Sequence, residues 1–322
     1  MPSLRSFGLL ALYVGAQVVA LALALPFRAQ GLATNSNPTS PASPLYLIAI
    51  IIIAPLVILF LARFKGGLAT LRYVILFGIA GSLAFTLPVA FGALDPNWSF
   101  LPPASVGLAF VPSELAGILV AVVIFEALLL DPQWYVVDLA GFVAAGALIA
   151  LLGISFAILP VFVLLMALAV YDAVAVYVTR HMVSLAEVVT DLKLPILMVM
   201  PERGGYNYPE KKGFMADRGR PIEEREAMFM GLGDVVFPGI LVVAAFVWLP
   251  DTPAALHLGA NLWVAIGALV GSLGGYAVLM RLVRSGNPQA GLPFLNGGVL
   301  AGYLLTYLLV LHSFSFGISW AF

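Results

Sequence analysis

Asp172 and Asp234 are the residues of this chain that bear most directly on chemistry, because each interrupts a long apolar run. An ionisable side chain in hydrocarbon costs about 2.5–3.5 kcal/mol on insertion scales, so it needs a reason to be there. Two carboxyls within hydrogen-bond reach do not both ionise readily, and they share a proton. The ionised member deprotonates a water. The protonated member polarises an amide carbonyl and then protonates the leaving amine. That chemistry hydrolyses a peptide bond with no metal and no cofactor. Depth alone leaves two other readings open: independent polar contacts between packed helices, or an ion-coupling site.

The residues around Asp234 add to this. It ends the run Gly231-Leu232-Gly233-Asp234, and Pro238 follows one turn later. Two glycines beside an acid permit close approach of another backbone and weaken a helix locally. Pro238 has no N–H, so the carbonyl of Asp234 loses its usual partner and the helix is free to kink. Loosened backbone at membrane depth is tolerated where it lines a water-filled cavity.

The elements that must position these residues follow from composition. Of 322 residues, 62% are hydrophobic and 10% charged, with 15 Lys and Arg against 16 Asp and Glu. So few charges do not cover a soluble globule of this size, which excludes an ordinary soluble enzyme, a disordered chain and a nucleic-acid binder. The chain reads as an all-α integral membrane protein, its main partner a lipid bilayer. A spanning helix needs about 20 mostly apolar residues. Nine segments qualify: Phe7 to Pro26, Leu45 to Ala62, Tyr73 to Phe91, Ser113 to Leu130, Trp134 to Leu152, Ile154 to Val178, Phe229 to Leu249, Leu256 to Met280 and Leu292 to Leu311. Gly153 is the visible break between the fifth and sixth. The first run is long enough to span and is read as retained, not as a signal peptide. With nine spans, 14 of the 15 basic residues fall on one side and only Arg28 on the other. The positive-inside rule then puts the N-terminus in the cytoplasm and the C-terminus outside. Asp172 lies about six residues before the inner end of span six, and Asp234 about six residues after the start of span seven. At 1.5 Å per residue both sit about 9 Å from the inner interface.

This divides the chain into residues 1–178 (spans one to six), a cytoplasmic segment 179–228, and residues 229–322 (spans seven to nine). In the middle segment, His181 to Leu192 has the spacing of a short amphipathic helix at the interface. Leu194-Pro195-Ile196-Leu197-Met198-Val199-Met200, closed by Pro201, reads as a short strand. Glu202 to Glu226 is charged and Gly-rich. Outside, Thr34 to Pro44 and Asp95 to Pro103 read as loops, the latter carrying Trp98 and Phe100 at headgroup level. Glu114, Glu126 and Asp138 fall near span ends and read as interfacial charges. His181, His257 and His312 receive no role. The chain has no cysteine, no HExxH and no glycine-rich nucleotide loop, which removes thiol, helix-borne zinc-protease and nucleotide chemistry from consideration.

Tyr171-Asp172 in span six and Gly231-Leu232-Gly233-Asp234 in span seven resemble the YD and GxGD signatures of the presenilin and signal peptide peptidase superfamily. The resemblance covers most of the chain, including the span count. It implies an intramembrane aspartyl protease with nine spans, Asp172 and Asp234 as the catalytic pair, and a Pro-Ala-Leu motif opening span nine. Here that place holds Gly291-Leu292-Pro293-Phe294-Leu295, which matches if Phe294 replaces the alanine. An alternative register sets Ala290, Gly291 and Leu292 opposite the motif. The segment Gly231 to Gly239 looks more like signal peptide peptidases. The orientation and the charged sixth loop look more like presenilins, so the chain is most similar to a prokaryotic, archaeal-type presenilin homologue. The resemblance implies a single-span transmembrane substrate with its N-terminus outside, a multi-pass location in the cell membrane, and a strand, Leu194 to Met200, that pairs with the unwound substrate. It leaves homo-oligomerisation open. The rival class is a proton- or cation-coupled transporter using the same carboxylates. Against it, the first half carries no second GxGD-like segment.

Overall fold

The computed structural model describes residues 6–94, 112–179, 185, 192–201, 206–209, 227–254, 258–283 and 289–318. Among them the chain forms nine α-helices and one two-stranded sheet. The helices are α1 (Ser6–Ala29), α2 (Leu45–Leu61), α3 (Gly67–Leu94), α4 (Pro112–Leu130), α5 (Trp134–Ser155), α6 (Ile158–Ala173), α7 (Leu232–Trp248), α8 (Ala260–Val283) and α9 (Leu292–Leu311). The strands are β1 (Leu197–Pro201) and β2 (Ala227–Gly231), paired antiparallel with Met198 opposite Met230 and Val199 opposite Phe229. Six helices are long and apolar enough to cross a membrane: those over Gly8–Ala29, Gly67–Gly92, Trp134–Ser155, Ile158–Val178, Ala260–Val283 and Leu292–Leu311. Three apolar helices are shorter, over Leu45–Leu61, Leu115–Leu130 and Leu232–Trp248. The protein is therefore a mostly helical, multi-pass membrane protein.

Two cores divide the molecule. The larger joins α1, α5, α6, α7, α8 and α9, with Tyr13, Phe156, Val161, Ile240 and Val299 among its fully buried members. The smaller joins α3, α4 and the N-terminal half of α5. The sheet stands between them. Side chains alternate across a strand, and accordingly Met198, Met228 and Met230 enter the larger core while Val199 and Ala227 enter the smaller. Beyond Asp234 in its first turn, helix α7 is apolar on every side and buried from Val235 to Val247, as expected of a helix with no polar face. Helices α8 and α9 meet backbone to backbone. Gly267, Gly271 and Gly275 recur every four residues on one face of α8 and oppose Gly298 and Gly302 of α9, where a Cβ would strike the partner's backbone or Thr306. Small residues allow that approach in lipid, where apolarity alone gives no association.

Two boundaries correct the sequence reading. The break between the fifth and sixth helices lies at Phe156–Ala157, not at Gly153. Gly153 is a packing site instead, because a Cβ there would lie 2.5 Å from Val243 Cβ. The expected start of span seven, Phe229 to Gly231, is strand: β1 supplies hydrogen-bond partners that a helix start lacks. Asp234 consequently lies in the first turn of α7, not two turns inside it. The loop Thr34 to Pro44 is tied down, with the Thr34 N–H donating to Ser155 Oγ (2.9 Å) and the Ala157 N–H to the Pro38 carbonyl (2.8 Å). Asp95 to Pro103, His181, His257, most of the amphipathic segment His181 to Leu192 and most of Glu202 to Glu226 lie outside the described residues.

Candidate active site

Asp172 closes α6. Beyond Ala173 the helix widens into a π-helical turn, Val174–Val178, a feature that often marks a functional position. The carboxyl is buried, and its Oδ2 accepts the N–H of Leu292 at 3.0 Å. The first amides of a helix have no acceptor within it. Pro293, next in line, has no N–H to offer. Asp172 thus caps α9, where the partial positive charge of the helix end favours a carboxylate.

Asp234 comes from the opposite direction. Gly231, in extended backbone (φ −63°, ψ 138°), ends β2 and caps α7. The Leu232 N–H donates to the Ile196 carbonyl at 2.9 Å, so β1 sets where α7 begins. The half-buried Asp234 carboxyl lies against Gly291. A Cβ built there would fall 2.8 Å from Oδ1, 3.0 Å from Cγ and 3.1 Å from Oδ2. Gly291 has an ordinary φ of −78°, so space, not backbone conformation, calls for glycine. A Cβ on Gly231 would lie 3.4 Å from Oδ2, and one on Gly233 would lie 3.0 Å from Phe237. The dipeptide Gly291–Leu292 therefore meets both carboxyls, Leu292 through its amide to Asp172 and Gly291 through its bare Cα face to Asp234.

The other expected residues distribute around this point. Tyr171 is half-buried beside Asp172. Pro293 occupies the first turn of α9, Phe294 backs onto Gly275 through its carbonyl, and Leu295 is fully buried. The contacts to the carboxyls thus come from Gly291 and Leu292, which belong to the alternative register, Ala290 to Leu292, and not to Pro293-Phe294-Leu295. Leu194, Pro195, Met198 and Val199 are buried, and Ile196, Leu197 and Met200 are half-buried. The expected strand is shorter than Leu194 to Met200 and is not unpaired, since β2 occupies one of its edges.

Three residues at this site carry no motif. Asp138, expected at the interface, is 4% exposed, and its Oδ1 accepts the Val199 N–H at 2.6 Å. Tyr177, at the end of the π-turn, donates to Gln289 Oε1 (2.9 Å) and accepts the Ala290 N–H (3.3 Å), fixing the segment that leads into Gly291. Asn296 donates from Nδ2 to the Leu165 carbonyl at 2.9 Å, pinning α9 to α6. Asn296 carries a sequence signal, a polar side chain one turn inside an apolar span. For Asp138 and Tyr177 no spacing distinguishes them from ordinary helix-end residues. Glu126 is exposed, and His312 ends α9 in left-handed conformation (φ 48°).

Fold and site together define a helical membrane protein in which two acids from separate helices meet on the start of a third. The pattern of the family described as signal-peptide peptidase, presenilin aspartyl protease matches residues 10–311. Among solved structures, a presenilin family intramembrane aspartate protease in a C222 crystal is 34% identical, with a TM-score of 0.62, over 94% of this chain and 98% of that one. A presenilin family intramembrane aspartate protease in a P2 crystal is 31% identical, with a TM-score of 0.61, over 96% of this chain and 98% of that one. No curated protein matches. The chain belongs to the signal-peptide peptidase and presenilin aspartyl protease family.

Proposed function

We propose that Asp172 and Asp234 form the catalytic dyad of this intramembrane aspartic endopeptidase. One observation carries the reading: two carboxyls from α6 and α7 converge on a single dipeptide, Gly291–Leu292. Convergence of that kind supports a shared proton and a shared substrate position, whereas two independent packing contacts would have separate partners. In the reaction one carboxylate takes a proton from water, and the water oxygen bonds to the scissile carbonyl carbon. The other carboxyl donates to that carbonyl oxygen. As the C–N bond breaks, a dyad proton passes to the leaving nitrogen. Tyr171, Gly231, Leu232, Gly233 and Leu292 to Leu295 set the positions of the two acids.

The substrate is a single-span transmembrane segment with its N-terminus outside, which must unwind before its amides are open to water. Strand addition supplies partners for the unwound backbone. The edge of β1 away from β2 is closed by Asp138 on Val199 and lacks a donor at Pro201. The substrate strand therefore adds on the β2 side, and Leu194 to Met200 hold β2 in register. All nine helices span, with the N-terminus in the cytoplasm of a prokaryotic cell and the C-terminus outside. Segment 179–228 forms the cytoplasmic connection between spans 1–178 and 229–322. No cofactor takes part. The test is cleavage of a purified single-span substrate by wild type, Asp172→Ala and Asp234→Ala. Cleavage lost in both variants supports the dyad; cleavage retained in either refutes it.

A further inference from the structure

Two hydrogen bonds beside the dyad leave the same stretch of chain and reach the same short segment. Asp172 Oδ2 accepts the Leu292 N–H at 3.0 Å, and the Tyr177 hydroxyl accepts the Ala290 N–H at 3.3 Å. Gly291 lies between those two amides. Its own N–H also lies toward Asp172, and its bare Cα face meets Asp234. Three consecutive amides leading into α9 are thus directed at one side of α6 and the turn that extends it.

A regular α-helix would not allow this. Residues three and four apart share a face of an α-helix, and residues five apart do not. Asp172 and Tyr177 are five apart. The turn between them is π-helical, over Val174–Val178, and the Thr179 N–H reaches back five residues to the Val174 carbonyl at 3.0 Å. A turn bonded in that way brings residues five apart into line. In an uninterrupted α-helix Val176, four residues on, would take the side that Tyr177 takes here, and valine has no acceptor to offer. The hydroxyl is itself anchored. Its proton goes to Gln289 Oε1 at 2.9 Å, which leaves its lone pairs for Ala290. Ala290 is fully buried, so its amide has to find an acceptor within the protein. Tyr177 is 50% exposed, so packing of the ring does not account for a tyrosine at this place; the hydroxyl does.

We infer that Tyr177 is a positioning residue of the protease. Its hydroxyl and the Asp172 carboxyl form a two-point clamp on Ala290 and Leu292, and the clamp holds Gly291 against the Asp234 carboxyl. The position of an acid carried by α7 is thereby set from the end of α6, through a segment that belongs to neither helix. With one point gone, the segment pivots on Leu292, and Asp234 loses the surface it rests on. The π-turn serves the site by putting the second point of the clamp in line with the first. The inference rests on the dyad reading above.

The test measures kcat, KM and thermal midpoint for the full chain in detergent, on a synthetic single-span peptide. Tyr177→Phe removes both hydrogen bonds and keeps the ring. It should lower kcat roughly 10-fold, hold KM within about two-fold and lower the midpoint by at most about 4 °C. Unchanged kcat overturns the inference. So does a raised KM with kcat retained, which would make Tyr177 a substrate contact. Gly291→Ala supplies a readout that general loosening would not move. If Tyr177 acts through Gly291, adding Tyr177→Phe to Gly291→Ala should lower kcat by less than about two-fold more; effects that multiply in full overturn the clamp. If Tyr177→Phe does not fold, Gln289→Ala decides, because it frees the hydroxyl and leaves the Ala290 amide its acceptor. There kcat should fall about three-fold at constant KM, and wild-type kcat overturns the clamp. Asp172→Ala separates the two readings. Full activity in it would sink the dyad and the clamp together. Loss in Asp172→Ala with wild-type kcat in Tyr177→Phe would sink the clamp alone.

Discussion

Helices α2 and α7 are a matched pair. Each has 17 residues, each is apolar apart from Asp234 in α7, and each carries one internal proline, Pro55 or Pro238. Their placements are opposite. Pro55 is the buried residue of α2, while Tyr46, Ile50, Ile53, Leu56 and Phe60 are at least half exposed, on the side that would meet lipid if α2 spans as proposed. Helix α7 buries eleven residues, from Val235 to Val247. Hydrophobicity does not separate the two, since lipid is as apolar as leucine. Glycine and hydrogen bonds do. Gly239 of α7 takes Ile149 of α5, and Gly153 of α5 takes Val243 of α7. The C-terminal carbonyls of α7 receive Arg28 (to Val247, 2.9 Å) and Asn261 (to Phe246, 2.8 Å), and Trp248 donates to the Gly153 carbonyl at 3.1 Å. With the Ile196 carbonyl, next to β1, holding its first amide, α7 is fixed at both ends, as the dyad proposed for Asp234 requires.

The largest effects should come from that fixed region. Asp172→Ala or Asp234→Ala removes proton transfer outright and should lower kcat by at least about 10²- to 10⁴-fold, with the thermal midpoint near wild type; peptide-cleavage assays on folded protein check both. Gly291→Ala comes next. Its Cβ would meet the Asp234 carboxyl at about van der Waals overlap, so the acid must shift. A displacement well under an ångström at a reacting group should still lower kcat by roughly 10- to 100-fold. The backbone conformation tolerates alanine, so chemical denaturation should show about 1 kcal/mol or less of lost stability. A Gly291→Ala enzyme with wild-type kcat would show that Asp234 does not work in this position.

Asp138 tests how far the fixed region extends. Asp138→Asn keeps an oxygen for the Val199 N–H, whereas Asp138→Leu leaves that amide unpaired. The Leu variant should lose about 1–3 kcal/mol and spread the cleavage positions on a single-span peptide, read by mass spectrometry, because β1 loses its anchor. The Asn variant should retain one dominant position. Equal product patterns in the two variants would remove Asp138 from the positioning of β1.

Much of this arrangement was legible in the chain. Apolar runs marked the helices because the bilayer demands them. A short apolar run between Pro195 and Pro201 marked the strand. Asp172 and Asp234 stood out because charge in hydrocarbon is costly. Elsewhere apolarity carried too little information. Phe229-Met230-Gly231 looks like the start of a span, yet it pairs with β1, a contact thirty or more residues away in sequence. Gly153 looks like a helix break, yet it is a seat for Val243. Asp138 looks like a helix-end charge because nothing local reveals that Val199 lies above it. In each case a partner distant in sequence decides.

Helix α2 supplies the complementary, smallest effect. Ile53 is 55% exposed, and in the proposed nine-span arrangement its surroundings are lipid. In water, truncating a buried isoleucine costs about 2–5 kcal/mol, through lost transfer energy and a cavity. Neither applies to Ile53. Lipid chains close over a smaller side chain, and the surroundings are apolar with or without it. Ile53→Ala should therefore change stability by no more than about 0.5 kcal/mol and leave kcat unchanged, measured by thermal unfolding and peptide cleavage in proteoliposomes. The same truncation at Ile240, fully buried in α7, should cost the full buried amount. If Ile53→Ala proves as damaging as Ile240→Ala, then α2 is packed against protein in the membrane, and the contrast between the two helices does not hold.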